Sequence, residues 1–186
     1  LNKDFHLSYP SPIADDGKCY LAPESLADDK VQLYAHRNGE VQETQTLLEG
    51  GFVDPTIIRE GAYWWLFCTS KEKPNAELHL FYSPALDQPF NAHAQNPILT
   101  DGRAAGTAGT PFKKEGIWYR PAQNCSKTYG GSICIQKIEA LSPDSYQESM
   151  HQELFAPKGK YQEGLHTVSS FGEQTLVDGK RFYFDF

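Results

Sequence analysis

Four times in this chain a short apolar run meets an X-Gly pair and then an aromatic strand, and that recurrence restricts the fold more than any other feature. The pairs are Asp16-Gly17 before Lys18–Glu24, Glu60-Gly61 before Ala62–Cys68, Glu115-Gly116 before Ile117–Ala122 and Asp178-Gly179 before Lys180–Phe184. The preceding runs are Pro12–Ala14, Thr56–Ile58, Pro111-Phe112 and Thr175–Val177. Strand, tight Gly turn, aromatic strand is a hairpin pattern, because Gly tolerates the positive φ that such turns need. One hairpin repeated every forty to sixty residues or so implies a radial repeat, a β-propeller in which each hairpin opens a blade.

Helix signals are weak beside this. Ser142-Pro143-Asp144 offers a cap for a short turn or helix over 142–151. Strands are signalled again at 30–37 and 41–48 around Asn38-Gly39, at 77–83 and at 131–138, so a full unit supplies three or four. The expected fold is all-β, a single five-bladed propeller type with approximate blades at 5–49, 52–98, 103–157 and 164–186, the last incomplete. Open strand edges in such a ring invite a second copy or a partner domain that completes it.

Composition narrows the function classes. A formal charge of −7 argues against non-specific nucleic-acid binding. The longest apolar runs fall well short of the roughly 20 residues that span a bilayer. Cys19, Cys68, Cys125 and Cys134 have no C-x-x-C spacing. Cys125 and Cys134 flank Gly130-Gly131 and can pair across a hairpin, while free thiols in a reducing, cytoplasmic setting are the competing expectation. His6, His36, His79, His93 and His151 show no metal spacing, and no helix follows the glycines to make a phosphate loop. No cofactor is expected.

Five ordered motifs carry a resemblance: Ser8-Tyr9-Pro10, Ala22-Pro23-Glu24-Ser25, Val53-Asp54-Pro55-Thr56-Ile57, Trp64-Trp65-Leu66-Phe67 and Arg120-Pro121-Ala122-Gln123-Asn124-Cys125. Together they resemble the propeller domain at the N-terminus of plant glucosamine inositolphosphorylceramide transferases, found also beside bacterial formyltransferase-like domains. That domain is similar to the five-bladed propellers of glycoside hydrolase families 43, 32 and 68. The resemblance implies an earlier blade with an Ala-Asp-Pro opening, which nothing before Leu7 supplies, so the chain is expected to hold blades two to five of five. Asn124 stands where the family usually has Asp, and the third opening, Arg103–Thr110, is looser than the family pattern.

In a propeller the first strand of each blade lines the channel, so blade-opening residues converge. That nominates Ser8, Tyr9, Asp54, the Arg103–Thr110 segment, His166 and Thr167, with Glu24, Arg120 and Gln123 on second strands. Glycoside hydrolysis needs two carboxyl groups across the bond, and Asp54 with Glu24 is the pair this sequence places near one axis. The bland alternative for Asp54 is a strand-start cap that shapes the turn into Pro55. Glu24 is equally readable as a sugar contact or a solvated rim charge. Arg120 and Gln123 suit a carboxylate, phosphate or sugar hydroxyl, or Arg120 braces a neighbouring blade. His166 suits a proton donor or sugar contact, or a structural hydrogen bond. Trp64 and Trp65 face opposite ways, one for the core and Trp65 for sugar stacking or inter-blade packing. Tyr129 reads as part of a structural turn.

Three functions therefore compete. One is a glycan-binding, glycosidase-like domain beside a transferase domain. Another is an active glycoside hydrolase using Asp54 and Glu24. The last is a non-catalytic interaction scaffold. The acidic gaps at Ser8 and at the third opening weaken hydrolysis and favour binding of a carbohydrate or glycoconjugate.

Overall fold

The computed structural model describes residues 3–171 and 173–183. Its first sheet is a meander of β1 (Ser8–Asp15), β2 (Lys18–Glu24), β3 (Lys30–Arg37) and β4 (Glu40–Glu49), with one 3-10 turn at Leu26–Asp28. The second holds β5 (Phe52–Glu60), β6 (Tyr63–Ser70), β7 (Glu77–Ser83) and two short outer strands, β8 (Asn91–Ala92) and β9 (Leu99–Thr100), both on β7. In the third, β10 (Gly106–Thr107) and β11 (Phe112–Lys114) share β12 (Ile117–Asn124), followed by β13 (Ser132–Ser142) and β14 (Ser145–Leu154). The fourth is the hairpin of β15 (Gly164–Phe171) and β16 (Gln174–Lys180). Every pairing is antiparallel. These are four blades of a five-bladed propeller type.

The turns form for the reason the sequence gives. Asp16-Gly17, Asn38-Gly39 and Glu115-Gly116 each put both residues at positive φ, between 47° and 83°. That is the twist-matched hairpin turn which carboxylate, amide and Gly residues accept. The fourth expected turn is not there. Asp178-Gly179 lies inside β16, and the chain instead reverses so that Phe171 pairs with Gln174. Gly179 is needed for proximity rather than for turning, since a Cβ there would stand 2.9 Å from the Tyr161 Cβ. The helix expected over 142–151 is also replaced. Ser142 Oγ accepts the Ser145 amide proton at 3.1 Å and caps the β13–β14 turn, so β-hairpin pairing overrides the cap signal.

The core lies between blades. Alternation along β6 sends Trp64 and Leu66 toward the first sheet, to join Ile13, Leu33, Leu47 and Ile57. It sends Trp65 and Phe67 the other way, onto Ile138 and Tyr146 of the third sheet. A third layer of Ala108, Ile133, Ile135 and Leu165 joins the third blade to the fourth. Each sheet thus rests on the next through its inner strands. Between the first and fourth sheets lies a cleft of about 460 Å³, with Tyr9–Pro12 on one wall and Thr167, Ser169 and Ser170 on the other.

Candidate functional site

The same irregularity appears in the innermost strand of each blade. Pairing skips between Ser8 and Ser11 in β1, between Val53 and Thr56 in β5, and between Leu165 and Thr167 in β15. In the third blade the ladder stops after β10 and resumes at β11. A bulge adds an unpaired residue and re-aims its side chain. The residues so re-aimed are Tyr9, Asp54 and His166, three of those nominated from sequence. Tyr9 and Asp54 both take positive φ, 45° and 52°, each before a proline. That conformation is strained for a non-glycine residue and persists only where the surroundings enforce it. Proline suits the next position because a bulge leaves its missing N–H without consequence.

Asp54 and Glu24 meet. The Asp54 N–H donates to Glu24 Oε2 at 3.2 Å. Burial, and then the neighbouring Glu24 charge, raise the Asp54 carboxyl to about 7. Near neutral pH the Asp54 carboxyl is therefore only partly ionised. The Asp54 carbonyl accepts from the Thr107 hydroxyl at 3.0 Å, and the Thr107 carbonyl accepts from Gln123 Nε2 at 2.9 Å. Gln123 Oε1 in turn faces the Cys125 thiol at 3.6 Å. One hydrogen-bonded chain thus fixes the carboxyl pair to the third blade. Gln123 is a positioning residue in it, since its amide is 3 % exposed.

Tyr9 spans the axis instead of lining it. Its hydroxyl accepts the Gly109 amide proton at 2.8 Å and lies 3.1 Å from Thr56 Oγ1, tying three blades together. Burial raises the proton affinity of this phenol. Ser8, opposite Glu24 in the ladder, and Thr167, opposite Asp178, stand beside the bulges.

Two nominated residues lie away from this cluster. Arg120 is on the opposite face of β12 from Gln123, 1 % exposed, with Nε and Nη2 bonded to Glu148 at 3.0 and 2.6 Å and Nη2 also bonded to the Ala104 carbonyl. Burial works to neutralise this guanidinium, but Glu148 outweighs it and its proton affinity ends above the ordinary value. Arg120 therefore braces its own blade, tying β12 to β14 and to the segment before β10, and is committed to these partners. Trp65, nominated for sugar stacking, is 2 % exposed, with its ring against Tyr63 and Tyr82 and its Nε1 donating to the Glu60 carbonyl at 3.2 Å. It is core, because β6 is covered on both faces.

His166 lines the cleft between the first and fourth sheets together with Tyr9, and it brings two residues that the sequence did not nominate. The Tyr129 hydroxyl lies 2.6 Å from His166 Nε2, and His166 Nδ1 lies 3.1 Å from Asp178 Oδ2. Lys180 Nζ donates to Thr128 Oγ1 and to the Tyr129 carbonyl at 3.0 and 2.6 Å, clamping the turn. Gly164 permits the approach, since a Cβ there would stand 2.1 Å from the Gly130 carbonyl oxygen. Burial and the Asp54 charge both raise the proton affinity of the Tyr129 phenol. Tyr129 was hidden by its Gly-Gly turn, and Asp178 by a D-G pair that reads as a turn.

All four cysteines are free, with Cys134 buried against Ala104 and Ala122. Among the described residues, no group of three or more His, Cys, Asp or Glu residues could hold a metal ion, and no helix is long and apolar enough to cross a membrane.

Comparison with known proteins now bears on this geometry. A family model described as glucosamine inositolphosphorylceramide transferase 1, N-terminal, matches residues 1–168. Glucosamine inositolphosphorylceramide transferase 1 of Oryza sativa subsp. japonica is 32 % identical over 156 residues, covering 80 % of this chain and 21 % of that protein. The protein of the same name from Arabidopsis thaliana is 31 % identical over 156 residues, covering 80 % and 20 %. The chain thus spans about a fifth of the length of the curated relatives it matches. Among solved structures, Bacteroides ovatus xyloglucan PUL GH43B aligns with a TM-score of 0.63 at 12 % identity, covering 92 % of this chain and 35 % of that one. A family 117 glycoside hydrolase produced by Zobellia galactanivorans aligns at 0.60 and 16 %, covering 81 % and 47 %. At such identities the likeness shows the fold, a glycosidase-type propeller.

Proposed function

The chain belongs to the family of glucosamine inositolphosphorylceramide transferase 1 N-terminal domains, and from that premise we propose that it is a glycan-binding, glycosidase-like propeller that works beside a transferase domain. A carbohydrate-related role follows from the family and the fold; binding rather than cleavage is our reading. The observation that carries it is the contact between Asp54 and Glu24. Glu24 Oε2 is taken up by the Asp54 N–H at 3.2 Å, whereas the two carboxyl groups of a glycosidase stand about 5 Å or more apart, free to act from either side of the bond. Placed so, they grip a sugar hydroxyl; they do not straddle a glycosidic bond.

Hydrolysis is the second reading, favoured by one fact, the Asp54 carboxyl raised to about 7 as a general acid requires. It needs the pair to part when substrate enters. A thermal-shift titration of the chain and its Asp54→Asn variant against hexosamines, uronic acids, inositol glycans, arabinans and fructans separates the readings. Binding predicts a ligand that stabilises the wild type, leaves the variant unmoved and is recovered uncleaved. Release of a reducing sugar by the wild type alone would establish hydrolysis instead. A cooperative melt that no sugar moves would leave the scaffold.

A further inference from the structure

The C-terminal end of β16 borders a cavity of about 370 Å³ that neither Asp54 nor Glu24 lines. Its wall includes Tyr129, Gly130, His166, Asp178, Lys180 and Arg181. Two of these side chains are cations and one is an acid, in a chain with 24 acids against 17 lysines and arginines. The acid, Asp178, already faces His166 Nδ1 at 3.1 Å.

Both cations have donors to spare. Lys180 Nζ gives two of its three N–H bonds to Thr128 Oγ1 and the Tyr129 carbonyl, at 3.0 and 2.6 Å, which fixes the ammonium and leaves one donor. The Arg181 guanidinium lies over the rings of Tyr161 and Tyr183, its Cζ 5.7 and 5.4 Å from their centroids. Rings hold the group by its charge but supply no oxygen for its five N–H donors. Arg59, Arg103 and Arg120 each meet a carboxylate, whereas Arg181 meets none among the described residues. A further cation shares the Tyr161 ring, with Lys160 Nζ 5.4 Å from its centroid. Like charges gathered in this way make a positive field on a chain of net charge −7.

These groups select by chemistry. A sugar hydroxyl has no charge to match theirs. A carboxylate fits the arginine fork, and the fork then uses both of its oxygens. A phosphate monoester brings three acceptor oxygens and nearly two negative charges, so the fork can take two oxygens and Lys180 the third.

We propose that this cavity is a phosphate site, in which the Arg181 fork and the Lys180 ammonium bind a phosphate monoester. It goes beyond the glycan-binding reading and uses neither Asp54 nor Glu24.

Calorimetric titration at 0.15 M salt compares glucose 6-phosphate with glucuronate and glucose. Glucose 6-phosphate should bind about tenfold or more tightly than either. Arg181→Gln should lose about tenfold or more of that affinity, the scale of a hydrogen bond to a charged group. Arg181→Lys keeps the charge without the fork and should recover only part of it. Arg181 is exposed, so both variants should melt with the wild type. Arg103→Ala removes an equal charge elsewhere on the surface and should bind as the wild type does; an equal loss there would mean diffuse attraction and overturn the proposal. Co-sedimentation with phosphatidylcholine vesicles carrying phosphatidic acid separates the two sources of phosphate. Either response, lost in Arg181→Gln, upholds the site; glucose 6-phosphate alone places the source in solution, and the vesicles alone place it on a lipid headgroup. Glucuronate bound as tightly as glucose 6-phosphate, or silence toward both phosphate sources, would sink the proposal. The sugar titration of Asp54→Asn decides the glycan-binding reading separately.

Discussion

Two acid-bearing pairs, the buried Arg120–Glu148 and the half-buried Asp54–Glu24, behave as opposites. Arg120 and Glu148 have opposite sign, meet in a forked geometry and gain the Ala104 carbonyl and the Tyr146 hydroxyl as further partners. Asp54 and Glu24 have the same sign; burial and then the Glu24 charge raise the Asp54 carboxyl to about 7, and Asp54 sits at the bulge of a blade-opening strand. The first pair is locked in its charged state by its neighbours. The second is poised between two states near neutral pH. A buried pair that cannot change its protonation is scaffolding, while one that must change it is available for a ligand.

Breaking the scaffold pair gives the largest effect. Glu148→Ala strands a buried guanidinium whose Nη1 already has no partner. The expected loss is roughly 3–5 kcal/mol, or about 6–20 °C of melting temperature for a chain of this size. A loss under 1 kcal/mol or so by chemical denaturation would mean that the pair carries no buried charge, and the contrast would collapse.

The carboxyl pair should respond in the other direction. An Asp54 carboxyl raised from 3.8 to about 7 keeps its proton in the folded chain after the unfolded chain has released it. Between about pH 4 and 7 the folded state therefore binds more protons, and stability falls as pH rises until it levels off above the folded value. Asp54→Asn removes that dependence and should be more stable than the wild type at pH 8, by roughly 2–4 kcal/mol, with little difference at pH 4. A wild-type stability that rises between pH 5 and 7 would show that the two carboxyl groups do not repel each other as described.

Why sequence alone separated these pairs poorly is itself physical. Asp54 and His166 were legible because blade-opening strands must converge, and a bulge before Pro55 marks where the ladder breaks. Arg120 was nominated on its chemistry, but its partner Glu148 lies 28 residues away on a strand that read as helix. Trp65 was nominated on its type, and only the sheet packed on each side of β6 decides its fate. Tyr129 and Asp178 were hidden in glycine contexts that read as turns, and the contact that unites them depends on Gly164 admitting the Gly130 carbonyl. Three of the four repeated hairpins, and the all-β propeller class, followed from local turn chemistry, which needs no tertiary contact to operate.

Replacing both members of the scaffold pair should matter far less than breaking it. Arg120→Met with Glu148→Leu removes the buried charges together and keeps the volume, so stability should stay within about 2 kcal/mol of wild type, in either direction. The Tyr146 hydroxyl then loses its acceptor, which offsets part of what is gained by removing the buried charges. A double variant as damaged as Glu148→Ala would show that shape, and not charge pairing, is what Arg120 supplies.

The smallest effect belongs to a pair that looks best on paper. Arg103 meets Asp101 in a fork of its own, Nε at 3.2 Å and Nη2 at 2.9 Å, a geometry close to that of Arg120 with Glu148. The difference is solvent, since the Arg103 side chain is 70 % exposed and that of Arg120 is 1 % exposed. Water and salt screen the exposed pair, and ordering a long side chain offsets what remains. Arg103→Ala is therefore expected to melt with the wild type at 0.15 M salt, and added salt should not separate them. If it melted as low as Glu148→Ala, fork geometry would outrank burial. The distinction drawn between the Arg120 and Asp54 pairs would then need another basis than the water each excludes.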